Sequence, residues 1–234
     1  MTRPLPTLTR ALAACALATT LAAPAWGQAV MTQNFDALTC NFAGGTVGPN
    51  NTPVPNGTGG LDWDNVLCVD GPGVVTAWGP NGYGAGTTST PNVAFGAADP
   101  LATLTRSGGG LFSLHSAQLT AGWHDNMTIT IEGFVGATSV ATVTVYPLAD
   151  APTLADLSAL ANVDRVVFTP SGGTPHPGYD GSGEYFALDD LSYSLAPRPA
   201  APAVAAVPTL GEWGLLLTGL LAAGLGLRRL RRRA

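Results

Sequence analysis

An all-β domain, either a sandwich or a barrel, is the fold class this sequence predicts, and three observations predict it. Met127-Thr128-Ile129-Thr130-Ile131 alternates apolar and polar residues with period two. Ser139 to Tyr146 does the same, with Ala141, Val143 and Val145 on one face and Thr142 and Thr144 on the other. Runs of this kind are short, and stretches rich in Gly, Pro and Asn separate them, in a chain with 30 glycines and 19 prolines.

The elements follow in order. Residues 1–29 read as a secretory signal peptide. Arg3 and Arg10 form the basic start, Ala11 to Ala23 the apolar run, and Ala23-Pro24-Ala25, Ala25-Trp26-Gly27 and Gly27-Gln28-Ala29 are small-x-small cleavage sites. Residues 30–196 form the folded domain, long enough for one well-buried core. Strands are expected at Leu61 to Leu67, Val74 to Trp78, Leu111 to Thr120, Val163 to Phe168 and Tyr185 to Leu195. Residues 44–60 and 79–91 read as surface loops, and Thr153 to Leu160 as either a helical turn or a strand. In the last strand Phe186 and Leu188 share one parity, while Leu191, Tyr193 and Leu195 share the other. That pattern requires either burial on both faces or a β-bulge near Asp189-Asp190. Residues 197–207 are mostly Ala and Pro, a semi-extended linker.

Residues 208–234 combine a short polar motif, an apolar run at 213–227 and a basic end. The run reads as a transmembrane segment, although its 15 residues cover only about 22 Å as a helix against about 30 Å of hydrocarbon. Arg228, Arg229, Arg231, Arg232 and Arg233 then act as a membrane stop on the cytoplasmic side, leaving the rest of the chain outside.

Charge and cysteine usage agree with export. The chain has ten arginines and no lysine. Outside the two termini only Arg106, Arg165 and Arg198 remain, against 14 acidic residues between Asp36 and Asp190, a net charge of −11. Nucleic acid is excluded as a partner on that balance. Cys15 leaves with the signal peptide, so Cys40 and Cys68 are a single pair in an oxidising compartment and a disulfide is expected, two free thiols being the alternative.

The tail also carries a resemblance. Val207-Pro208-Thr209-Leu210-Gly211-Glu212-Trp213-Gly214, with the apolar run and arginine cluster behind it, resembles the IPTL-CTERM sorting signal, with Val207 for the usual isoleucine. That resemblance implies processing near Pro208 to Gly214 by an exosortase-like transpeptidase of a Gram-negative bacterium, and delivery to the cell surface or extracellular matrix. A second resemblance covers most of the domain. Phe112 to Trp123, Met127 to Gly136, Val163 to Phe168, Ser171-Gly172-Gly173 and Gly181 to Leu191 resemble a recurrent exported domain of PEP-CTERM-type surface proteins, with Asn34 to Leu38 as its opening strand. This implies an all-β, jelly-roll-like β-sandwich.

The candidate chemistry is sparse. Asp36, Glu184, Asp189 and Asp190 are candidate ligands of a structural calcium, which takes six to eight oxygens. The alternative is that Asp190 accepts backbone hydrogen bonds at the bulge and Asp189 is solvated. Tyr83 and Tyr179, read as loop aromatics, are candidate glycan platforms, while Trp123 is expected to help close the core. No Ser sits in a Gly-x-Ser-x-Gly setting, and a chain without lysine cannot form a P-loop. The expected function is a non-enzymatic exported surface or matrix protein. A lectin-like module for exopolysaccharide is the alternative, and an envelope hydrolase, whose paired carboxylates need only spatial proximity, comes third.

Overall fold

The computed structural model describes residues 28–40, 52–198 and 210–231. The chain divides into two units at Ala196/Pro197. The first holds β1 (Val30–Gln33), β2 (Thr52–Pro53), β3 (Leu61–Asp64), β4 (Leu67–Asp70), α1 (Gly71–Trp78), α2 (Gly82–Gly86), β5 (Asn92–Ala97), β6 (Ala102–Arg106) and β7 (Phe112–Ala121). It continues with β8 (His124–Asp125), β9 (Thr128–Val135), β10 (Thr138–Val145), β11 (Thr153–Asp156), β12 (Arg165–Ser171), β13 (Thr174–Pro175) and β14 (Tyr185–Leu195).

Two larger antiparallel sheets carry the core. The seven-stranded sheet runs β11-β7-β14-β5-β4-β2, with β1 also paired to β14, and the five-stranded sheet runs β10-β9-β12-β6-β3. Leu114, Leu119 and Leu188 from the first meet Ile129, Ile131 and Phe168 from the second in one cluster, all fully or almost fully buried. Phe168 stacks on Phe186 with centroids 5.3 Å apart. At one end Phe35 packs edge-on against Trp63 at 5.2 Å. The Trp63 indole N–H donates to the Thr58 carbonyl at 3.0 Å, so its polar edge is satisfied within the core. Cys40 and Cys68 are joined by a disulfide with Cα atoms 5.4 Å apart, tying the segment after β1 to β4.

The parity change in β14 has a structural cause. The register against β7 shifts between Asp189 and Ser192, and Asp190 takes a left-handed φ of 46°. The bulge turns Leu191 and Tyr193 onto the same core face as Phe186 and Leu188.

The fold departs from the expected all-β, jelly-roll-like β-sandwich. It is mixed α/β, with three α-helices among the described residues, and its sheets are open rather than closed into a barrel. Val74 to Trp78, expected as a strand, lies in α1. A short apolar run is ambiguous by periodicity, and the flanks decide it. The Asp70 side chain accepts from Gly73 N at 3.0 Å, Pro72 sits in the first turn, and Gly79 ends the helix at φ 78°. Residues 79–91, expected as a loop, contain α2. The Leu61 to Leu67 segment is split into β3 and β4 around Asn65, at φ 56°. Thr153 to Leu160 resolves into β11 followed by a turn, where Asp156 accepts from Ser158 N at 3.0 Å.

The second unit contains α3 (Leu210–Arg231). Leu and Ala favour the helix, and Arg228, Arg229 and Arg231 sit in its last turn, where the helix dipole favours cations. Among the described residues no helix is long and apolar enough to cross a membrane. The expected transmembrane segment at 213–227, and the membrane contact through it, are therefore corrected. The uncharged run ends at Leu227, so it offers about three-quarters of the hydrocarbon thickness, and Gly214, Thr218, Gly219, Gly224 and Gly226 lower its apolarity. The expected signal peptide through residue 27, most of the expected linker, and Val207, Pro208, Thr209, Arg232 and Arg233 lie outside the described residues.

Candidate functional site

The site grows from the side of the seven-stranded sheet that faces away from the main core. Strand alternation sends Cys68, Ala94 and Leu188 into that core and leaves Val69, Val93, Phe95 and Ala187 on the opposite face. These join Val74 of α1, Tyr83 of α2 and Trp123 in a second apolar cluster.

Asparagine and glycine chemistry holds the roof. Asn81, itself buried, accepts from Tyr83 N at 3.1 Å and Gly84 N at 3.0 Å, capping a helix of only five residues. Its amide N–H donates to the Gly79 carbonyl at 2.8 Å. Gly82 N donates to the Gly122 carbonyl at 2.9 Å, and a Cβ at Gly82 would lie 1.8 Å from the Ala121 carbonyl oxygen. Only glycine allows α2 this close to the end of β7. The result presses Tyr83 edge-on against Phe95 at 5.2 Å and Trp123 at 5.4 Å. Trp78 lies 6.4 Å from Trp123. Gly181 completes the wall, since a Cβ there would fall 2.3 Å from the Trp123 ring.

Between sheet and roof lies a cavity of about 430 Å³, within the range of about 300–1,000 Å³ usual for ligand sites. Trp78, Tyr83, Phe95, Trp123 and Tyr185 supply aromatic surface, and Asn65, Asp99 and Ser182 supply polar groups. Burial, reinforced by nearby Tyr185, pushes the Tyr83 phenol far above its ordinary range, so it stays neutral.

The candidate glycan platforms fare differently from expectation. Tyr83 is not a loop aromatic; it is buried in α2 and lines the cavity from the roof side. Tyr179 is on a loop and half-buried. Its hydroxyl donates to the Ala149 carbonyl at 3.0 Å, and its ring packs on His176 at 4.2 Å. His176 in turn pairs with Asp125 at 2.7 Å. Burial first, then the Asp150 and Asp125 charges, raise the Tyr179 phenol. Trp123 is buried, but in the second cluster rather than the main core. Sequence reasoning missed Tyr185, Phe95, Asn65, Asp99 and Ser182. A signal existed for Tyr185, which lies on the opposite parity from Phe186 and Leu188.

The candidate calcium ligands do not all come together. Asp189 is fully buried rather than solvated. Its Oδ2 accepts from Thr88 N at 2.8 Å and Ser89 N at 2.9 Å, and its Oδ1 from Asp190 N at 2.8 Å. Burial raises its carboxyl above the usual aspartate range, opposed by these donors and reinforced by the Asp190 charge. Asp190 accepts from the Thr88 hydroxyl at 2.8 Å, and Asp36 accepts from Asn92 N at 3.2 Å. Three of the four acids thus meet the segment from Thr88 to Asn92. Glu184 instead accepts from Gly172 N. Among the described residues no group of three or more His, Cys, Asp or Glu gathers to hold a metal ion.

Residues 205–232 match the IPTL-CTERM motif. No curated protein matches this chain. Among solved structures it is similar to a DUF4465 family protein from Bacteroides caccae, at 12% identity over 77% of this chain and 97% of that one, with a TM-score of 0.45. A DUF4465 family protein from Bacteroides ovatus gives 12% identity over 62% and 82%, with a TM-score of 0.42. TmCBM61 in complex with β-1,4-galactotriose gives 10% identity over 61% and 95%, with a TM-score of 0.32. The chain carries an IPTL-CTERM motif, consistent with an exported, surface-associated bacterial protein.

Proposed function

We propose that this chain is a non-enzymatic protein exported to the bacterial cell surface or extracellular matrix, and that an exosortase-like transpeptidase processes its tail. The observation that carries the reading is the IPTL-CTERM motif over residues 205–232. The use of acidic groups supports the non-enzymatic part. Asp62, Asp70, Asp156, Asp164, Glu184 and Asp189 each accept a backbone N–H and so hold turns and helix starts. Mass spectrometry of the C-terminal peptide from native cell fractions tests this reading. The mature chain is expected to end within or just after Pro208 to Gly214 in the surface fraction. Surface material that retains Arg233-Ala234 removes the processing step.

A second reading, a lectin-like module for exopolysaccharide, is favoured by one observation: the aromatic-walled cavity over the seven-stranded sheet.

A further inference from the structure

The cavity's lining narrows what it can take, and the inference here rests on the lectin-like reading. We propose that the cavity binds a neutral saccharide ring, one unit of an uncharged glycan, with Trp78 and Tyr185 as stacking faces and Asn65, Asp99 and Ser182 meeting its hydroxyls.

The aromatic residues divide into two sets. Phe95 and Trp123 are buried and packed edge-on against buried Tyr83, so the three form a wall ordered before any ligand arrives. Trp78 and Tyr185 are only partly buried and line the same space. The backbone at Gly183, where φ is 104°, runs close along the Tyr185 ring, since a Cβ there would lie 2.6 Å from it.

Charge excludes two ligand classes. Among the described residues no Arg, Lys or His lines the cavity, and the one charged group there is the Asp99 carboxylate. An anion would meet like charge with no partner. A pure hydrocarbon would strip water from Asn65, Asp99 and Ser182 and return no hydrogen bond. Asn65 already donates to the Leu101 carbonyl at 3.1 Å, which fixes its amide at the rim. A pyranose ring satisfies both halves of the site, since its C–H face matches an aromatic plane and its hydroxyl edge matches carboxylate, amide and hydroxyl. The nearest competitor is a quaternary ammonium, which aromatic faces and one carboxylate also suit.

The test is a titration of the purified full chain, read by tryptophan fluorescence and calorimetry. The probes are cellotriose, maltotriose and β-1,4-galactotriose as neutral glycans, an alginate oligosaccharide as an anion, choline as a cation and 1-octanol as an uncharged apolar chain. At least one neutral trisaccharide is expected to saturate a single site with a fluorescence shift. Trp78→Ala and Tyr185→Ala are each expected to weaken it at least about tenfold. Asp99→Asn should weaken it less, and Tyr146→Ala, away from the cavity, should leave it unchanged. Thermal melts separate lost binding from lost folding, and Tyr185→Phe, which keeps the ring, should retain binding. Saccharide binding that survives Trp78→Ala and Tyr185→Ala overturns the site while leaving the lectin-like reading in place. Binding of choline or 1-octanol in place of every neutral sugar overturns the ligand class, and no saccharide binding at all overturns both.

Discussion

The two faces of the seven-stranded sheet use alternate residues of the same strands and are finished differently. On one face a second sheet brings Ile129, Ile131, Val166 and Phe168, and the interface closes with side chains at 0% exposure. On the other, α1 has eight residues and α2 five, which span only about 12 Å and 7 Å. Helices this short cover the sheet without filling the space over it, so a cavity of about 430 Å³ remains. Adjacent residues such as Cys68 and Val69 therefore do opposite work: the first closes a core and the second lines a cavity.

This contrast can be broken by measurement. The largest effect is expected at the closed face. Phe168→Ala removes a fully buried ring stacked on Phe186 and should cost about 3–5 kcal/mol in urea unfolding. Removing the disulfide with Cys40→Ala and Cys68→Ala frees a 28-residue separation and should cost about 3–4 kcal/mol. An unchanged midpoint under non-reducing conditions would show that the bridge adds nothing to the closed side.

Asp189→Asn comes next, with a loss of about 1–3 kcal/mol, because an amide presents N–H where backbone donors need an acceptor. The carboxyl of Asp189 is raised in the folded state. Its contribution is therefore full below the ordinary aspartate range and declines as pH rises through the raised value. The variant's deficit should accordingly shrink from acid toward neutral pH, and a deficit that grows with pH contradicts the raised carboxyl. The smallest effect is expected at Val69→Ala, about 1.5 kcal/mol for the lost methyl groups. Val69 already borders empty space, whereas Val166→Ala on the closed face adds a new void at about 24 cal/mol per Å³. Equal costs at the two valines would erase the difference between the faces.

Particular residues show how far the sequence could be read. The parity change was legible because Phe186 and Leu191 cannot share a face on a regular strand; it left burial on both faces or a bulge, and the register shift after Asp189 decides for the bulge. The Met127 to Ile131 strand followed from its period-two pattern. Val74 to Trp78 reads as a strand because five residues are too few to show a helical period and Val74-Val75-Thr76 is β-branched; the side chain of Asp70, capping at Gly73 N, decides for the helix. Tyr83 falls in residues 79–91, whose Gly-, Pro- and Asn-rich composition reads as a loop. Its helix is held by one buried asparagine and a backbone contact that no local pattern announces. The cavity residues Asn65, Asp99, Ser182 and Tyr185 are separated by as much as 120 positions, and nothing in their spacing links them.

What the sequence determined alone was local: strand periods, the acidic balance, the single cysteine pair and the contiguous motif in residues 205–232. Each of these is written in neighbouring residues or in composition. The tertiary structure decided what depends on distant residues meeting. It made an expected strand a helix, buried Asp189 beside Thr88 and Ser89, and roofed one face of a sheet with helices too short to fill it. Burial on the second face is a property of what packs against a strand, and the strand's own residues carry only half of that information.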